Sequence, residues 1–225
     1  MGAASRDTNR RLRILVVDDH PIVRERLTEV INSEPDLLVC GEAEDRWQAL
    51  NAIDGSPPDL LLLDLSLKNS SGLDLIKDLR PRHPTLPILV LSMHEESLYA
   101  ERVLRAGARC FISKQQATRD ILAAIRTVLA GDIYLSQPMT TRLSNPLAGR
   151  PRARSGLSLE SLTDRELRVF DLLGQGCSTR QIASQLRLSI RTVETYRARI
   201  KSKLHLNNNF GLLQHAIRWN QAGGL

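Results

Sequence analysis

The residues of this chain best suited to chemistry are three aspartates and two other polar side chains, each placed where an apolar run stops. "RILVVDDHP" drives an apolar run into Asp18 and Asp19, and "LLLLDLS" carries another into Asp64. Adjacent carboxylates resist ionising together unless something positive sits between them. A hard divalent cation such as Mg²⁺ meets that need, because it takes oxygen ligands, keeps several waters and neutralises the cluster. A metal alone would not require the hydroxyl of Ser92, closing "PILVLS", or the ammonium of Lys114, following "RCFIS". The full set suits phosphoryl transfer to a carboxylate. Asp64 would be the nucleophile, Mg²⁺ would bridge Asp19 and the phosphoryl oxygens, and Lys114 would neutralise developing charge.

These side chains can meet only if the runs that carry them are neighbouring strands. Strand-like segments at 13–17, 37–43, 60–64, 87–92 and 109–113 alternate with helical periodicity at 21–33, 46–53, 72–80, 96–106 and 118–130. That alternation predicts right-handed βαβ units and a parallel sheet, and the unbroken apolar character of the first and third strands predicts burial on both faces. In a doubly wound sheet of order 2-1-3-4-5, ligands gather at the carboxyl edge, where the strand order reverses. Asp18, Asp19 and Asp64 would converge there.

Composition bounds the rest. The 225 residues are 42% hydrophobic and 25% charged, which suits one large or two ordinary soluble domains. No apolar run approaches the roughly 20 residues of a membrane span, and the polar leader "MGAASRDTNR" has no signal-peptide core. Cys40, Cys110 and Cys177 are odd in number and scattered, fitting neither a disulfide framework nor a zinc site. The expected compartment is the cytoplasm.

Net charge is unevenly spread. Residues 150–225 carry +8 and residues 1–149 carry −2, so the polyanion-facing part is the back of the chain. Between them, Ser, Pro, Gly and Arg without periodicity predict a linker over 132–158. The expected organisation is a front domain over 11–131 and a helical domain over 159–225.

In the back domain, Thr163 to Glu166 and Ser178 to Gln181 each have capping-box spacing, and Ser189 can cap a third helix from about Ile190 to Leu204. The short "LRLS" before that helix is a connection of helix-turn-helix type. Val193, Ile200 and Leu204 form one stripe, to be packed on Ile182, Ala183 and Leu186. The opposite face carries Arg191, Glu194, Thr195, Arg197, Ala198 and Lys201, a polar and mostly basic surface suited to the major groove.

Residues 11–130 resemble the receiver domain of bacterial response regulators through "VVDDH", "LLLLDLS" with Gly72 eight residues beyond Asp64, "LVLS" and "AGARCFISK". The segment 162–206 resembles the LuxR-type helix-turn-helix, and the combination is similar to the NarL/FixJ family of transcriptional response regulators. The resemblance implies an α/β fold: a flavodoxin-like, doubly wound, parallel five-stranded receiver, followed by a small all-α helix-turn-helix domain. It makes Asp64 the phosphoacceptor, with Mg²⁺ held by Asp18, Asp19, Asp64 and the backbone carbonyl of Ser66. Ser92 becomes the switch hydroxyl, Phe111 the aromatic that turns inward, and Lys114 the phosphoryl-stabilising cation. Glu194, Thr195 and Ala198 fall where base edges are read, while Arg191, Thr192, Tyr196 and Arg197 fall where the DNA backbone is gripped. Glu194 replaces a common lysine, so it would either accept from cytosine N4 or point away from phosphate. Lys68, four residues after Asp64, stands where the family often has proline, which would leave that loop less rigid, and Gln115 replaces the proline that often follows Lys114.

In such proteins the last helix pairs two DNA-binding domains across a two-fold axis. Leu212, Leu213 and Ala216 share a helical face that would either make that dimer contact or close the small domain's own core. The implied function is a DNA-binding regulator, phosphorylated on Asp64 by a sensor histidine kinase, binding a palindromic promoter as a homodimer, with no membrane partner. Two rivals follow from the same residues. An aspartyl-phosphate phosphohydrolase would want a second carboxylate two residues after the nucleophile, where this chain has Ser66. A phosphorylation-independent DNA binder would carry the acidic set as a vestige.

Overall fold

The structure is a computed structural model that describes residues 10–68, 70–93, 96–136, 139–140 and 159–221. Residues 1–9 of the leader and most of the expected linker lie outside the described residues. The chain divides into two compact units.

The first is built on a five-stranded sheet: β1 (Leu12–Val17), β2 (Leu37–Ala43), β3 (Leu60–Leu63), β6 (Ile88–Ser92) and β7 (Cys110–Ser113), in the order β2-β1-β3-β6-β7. This is the 2-1-3-4-5 winding with the strand order reversing beside β1. Alternate residues of these strands face opposite ways. Ile14, Val16, Leu60, Leu62, Leu89, Leu91, Cys110 and Ile112 share a cluster with α1 (Pro21–Asn32) and α5 (Lys114–Leu129), through Leu27, Ile31, Ile121, Ile125 and Val128. The intervening Leu15, Val17, Leu61, Leu63, Ile88 and Val90 are buried too, so both faces are covered. Helices α2 (Arg46–Gly55) and α3 (Gly72–Arg82) continue the alternation, and α4 (Glu96–Ala106) follows β6 in chain order, its residues up to Arg102 clustering with the second unit.

Three local features depart from the sequence reading. A two-stranded ribbon, β4 (Ser66–Leu67) with β5 (Ser70–Ser71), follows Asp64 directly. Helix α3 runs through Pro81 to Arg82, because a proline in the last turn forfeits only one of the final backbone bonds. Helix α5 begins at Lys114 rather than at residue 118, and Tyr134 adds a parallel bridge to Cys110.

The second unit contains α6 (Asp164–Gly174), α7 (Thr179–Leu186), α8 (Ile190–Lys203) and α9 (Asn209–Trp219), after a short 3₁₀ turn at Leu159–Ser161. Helix α6 packs against α8 and α9, and α7 against α8. Phe170 and Trp219 meet with ring centroids 5.6 Å apart. Both predicted capping boxes form: Thr163 with Glu166, and Ser178 with Gln181. Ser189 accepts from the Thr192 N–H, and Asn208 caps α9 through the Gly211 N–H. Replacing Ser178 with alanine is expected to cost about 1 kcal/mol, read as a lower urea midpoint of the second unit with an unchanged slope.

Candidate functional site

Strand register places the acidic residues. Val17 pairs with Leu63 across β1 and β3, so Asp18 and Asp64 emerge level with one another at the carboxyl edge. Backbone bonds extend the ladder into the site: the Asp18 N–H donates to the Ala43 carbonyl at 3.0 Å, and the Asp64 N–H to the Val17 carbonyl at 2.8 Å. Arg24 donates to the Asp18 carbonyl at 2.7 Å and pairs with Glu42, tying α1 to the same corner. Ligand atoms of Asp18, Asp19, His20 and Asp64 lie within 4.8 Å of one another, with Asp18 and Asp64 buried.

The donor set fits a hard divalent cation. Three carboxylates from two adjacent strand ends supply oxygen donors, and Asp19 Oδ1 is buried without a hydrogen bond. His20 Nδ1 lies 2.8 Å from that oxygen without hydrogen-bond alignment, and 3.1 Å from Asp18 Oδ1. The sequence places His20 directly after the two aspartates, but adjacency alone did not mark it as part of the cluster. Ser66, the expected carbonyl donor, lies in β4, two residues past Asp64.

Ser92 closes β6, fully buried, and Lys114 follows β7 as the first residue of α5. Strand order puts the carboxyl ends of β6 and β7, where Ser92 and Lys114 fall in the chain, along the same sheet edge as the ends of β1 and β3. Phe111 is buried within β7. The loop after Asp64 has its own anchor in place of proline. The Lys68 N–H donates to the Glu44 carbonyl at 3.3 Å, and Lys68 Nζ sits 2.9 Å from Glu44 Oε1. Hydrogen bonding to Glu44 raises Lys68 above the usual ammonium range.

In the second unit, Val193, Ile200 and Leu204 are buried on the inner stripe of α8, as are Ile182 and Ala183 of α7. Left-handed residues close three successive helices: Gly176 after α6, Arg187 after α7 and His205 after α8. At Arg187 the Leu188 N–H returns to the Ala183 carbonyl at 2.8 Å, which fixes the tight turn into α8. The outer face of α8 exposes Arg191, Glu194, Thr195 and Ala198, with Thr192, Tyr196, Arg197 and Lys201 half-buried.

One expected orientation differs. Arg197 is directed to protein rather than outward: its Nη1 donates to Thr179 Oγ1 at 2.6 Å and to Glu194 Oε1 at 3.0 Å. Of the two roles the sequence left open for them, Leu212 and Ala216 take up core closure: both are fully buried in the small domain's core, where the Ala216 carbonyl closely approaches Gly174. Of the three expected dimer residues Leu213 alone reaches the surface, near the exposed Phe210. All three cysteines are free thiols. No helix among the described residues is long and apolar enough to cross a membrane.

An acidic edge on a doubly wound sheet, joined in one chain to a capped helix-turn-helix, defines a regulator built from a receiver and a DNA-binding domain. Residues 14–126 match the response regulator receiver domain, and residues 160–216 match the bacterial regulatory proteins of the luxR family. The chain is 39% identical to the transcriptional activator protein ExaE of Pseudomonas putida, over 91% of this chain and 95% of that protein. It is 31% identical to the oxygen regulatory protein NreC of Staphylococcus carnosus, over 92% and 97%. Among solved structures, RcsB of Salmonella enterica bound to promoter P1flhDC with a phosphomimetic superposes with a TM-score of 0.70 at 26% identity, covering 92% of this chain and 98% of that one. The chain belongs to the NarL/FixJ family of two-component response regulators. That family consists of DNA-binding transcriptional regulators, not enzymes, and the phosphohydrolase reading falls with it.

Proposed function

We propose that Asp64 accepts a phosphoryl group from the phosphohistidine of a sensor kinase, and that the modified receiver controls how tightly the second domain holds promoter DNA. The observation that carries this reading is the convergence of Asp18, Asp19 and Asp64 at one sheet edge. In the transfer an Asp64 oxygen forms the new P–O bond as the donor's P–N bond breaks. Asp18, Asp19, Asp64 and the Ser66 carbonyl would hold Mg²⁺, which supplies charge neutralisation on the phosphoryl oxygens. Ser92 donates its hydroxyl to the phosphoryl group from the neighbouring strand end, and Lys114 pairs with it from the end of the next strand, β7. Phe111 repacks against that face, so the phosphate contacts favour one of two receiver states. Arg191, Thr192, Tyr196 and Lys201 supply the backbone contacts of α8, on a palindromic site bound by a homodimer. The protein acts in the cytoplasm.

The test is acetyl phosphate with Mg²⁺, followed by mass spectrometry and a DNA-binding titration at fixed salt, since affinities shift steeply with ionic strength. The wild type is expected to gain one phosphoryl group on Asp64 and to bind promoter DNA at least about tenfold more tightly, a gain of about 1.4 kcal/mol. Asp64→Ala, or chelation of the metal, is expected to abolish both effects. Modification at another residue, or equal DNA affinity with and without it, overturns the reading.

A further inference from the structure

We propose that Glu194 reads a cytosine in the major groove, and that Thr179 and Arg197 position it to do so. The inference rests on the reading of α8 as the helix that enters the groove.

Glu194 Oε1 accepts from Thr179 Oγ1 at 3.1 Å and from Arg197 Nη1 at 3.0 Å, while Arg197 Nη1 also donates to Thr179 Oγ1. One oxygen of the carboxylate is thus tied to two helices at once, because Thr179 opens α7 and the other two residues lie one turn apart on α8. The Glu194 side chain remains 50% exposed and that of Arg197 17%. Glu194 Oε2 makes no hydrogen bond to the described residues. The result is a fixed acceptor on a half-exposed side chain, on a face otherwise rich in cations.

This arrangement answers both objections to a carboxylate at a DNA surface. Repulsion from phosphate is reduced because Arg197 lies against the charge. The entropic cost of ordering a long side chain on binding is reduced because the side chain is already held. An acceptor-only group needs a donor with no acceptor beside it. Cytosine N4 meets that requirement, whereas adenine presents N6 next to the acceptor N7. Glutamine, with a donor and an acceptor, suits adenine, and lysine suits guanine. Arg197 is therefore a positioning residue for the carboxylate.

The experiment is selection of bound sequences from a randomised duplex library, using the full-length, acetyl-phosphate-treated chain at one salt concentration. The wild type is expected to prefer cytosine at one position of each half-site by about tenfold. Glu194→Gln is expected to move that preference to adenine and Glu194→Lys to guanine, with the other positions unchanged. Arg197→Gln is expected to erase the preference at that position while leaving the salt slope of binding within one phosphate contact of wild type, which general loss of folding would not do. An unchanged motif in Glu194→Gln, or adenine selected by the wild type, overturns the proposal while leaving α8 as the DNA-reading helix. Failure of the wild type to enrich any sequence overturns both readings.

Discussion

Gly72→Ala is expected to destabilise the receiver by about 3 kcal/mol or more and to slow phosphorylation of whatever fraction stays folded. Gly72 opens α3 eight residues after Asp64, and its N–H donates to the Leu65 carbonyl at 2.9 Å. A Cβ at this position would stand 2.2 Å from the Asp64 carbonyl oxygen and 2.8 Å from Leu65 Cα. Both are backbone atoms, so no rotamer change relieves the clash. The chain before Asp64 cannot yield either, since Leu60 to Leu63 are buried in the middle of the sheet. The displacement is expected to fall on Asp64 and Leu65, moving the Asp64 carboxylate away from Asp18 and Asp19. Gly55→Ala is the matched control, because a Cβ there meets nothing within 4 Å. Urea unfolding should show a large drop in midpoint for Gly72→Ala and little change for Gly55→Ala. The rate of acetyl-phosphate labelling, measured where both variants are folded, should fall at least about tenfold only in Gly72→Ala. Wild-type stability in Gly72→Ala would show that the α3 junction can yield without displacing the acceptor.

Such a close approach also marks where the sequence stops being informative. The acidic edge was legible because each chemical residue ends an apolar run, and the parallel sheet converts run ends into one edge. Helix starts were legible because Thr163 and Ser178 carry their partners at fixed spacing. The β4–β5 ribbon was not, since two-residue strands have no period to detect. The pairing of Arg197 with Glu194 is an i,i+3 spacing that sequence can suggest, but Thr179 comes from another helix and only the tertiary fold delivers it. Leu212 and Ala216 illustrate a different limit: an apolar helical face announces burial, not which surface provides it. Lys68 shows local substitution with compensation, the anchor to Glu44 standing where a looser loop was expected.

Helix α6 carries two buried acids whose linkage to folding has opposite sign, and the stability of the second unit should therefore pass through a maximum in mildly acidic solution. Asp171 is fully buried. Its Oδ2 accepts from Arg168 at 2.8 Å and from Gln175 at 3.4 Å, and Oδ1 has no hydrogen bond. Burial pushes this carboxyl up to about 6, with Arg168 and Gln175 opposing the rise. Between the ordinary 3.8 and about 6 the folded state then holds more protons than the unfolded one, so stability falls as pH rises through that window. The full difference is about 3 kcal/mol. Glu166 works the other way. Burial alone would raise it, but Lys203 at 2.7 Å, together with the Thr163 N–H and hydroxyl, holds it below the ordinary 4.5. Its contribution is present above the unfolded value and is lost as pH falls through the lower folded one. Urea midpoints, followed through Trp219 fluorescence in a Trp47→Phe background, should rise as pH is lowered from 7 towards about 4.5 and then decline. Asp171→Asn is expected to flatten the upper limb, because it removes the charge that burial penalises. Glu166→Gln is expected to flatten the lower limb at a cost of about 1 kcal/mol near neutrality, since the exposed Lys203 loses its charged partner but stays solvated. A wild-type midpoint that climbs steadily to pH 7, or an Asp171→Asn curve that tracks the wild type, would show that the Arg168 pairing already holds Asp171 ionised through the whole range.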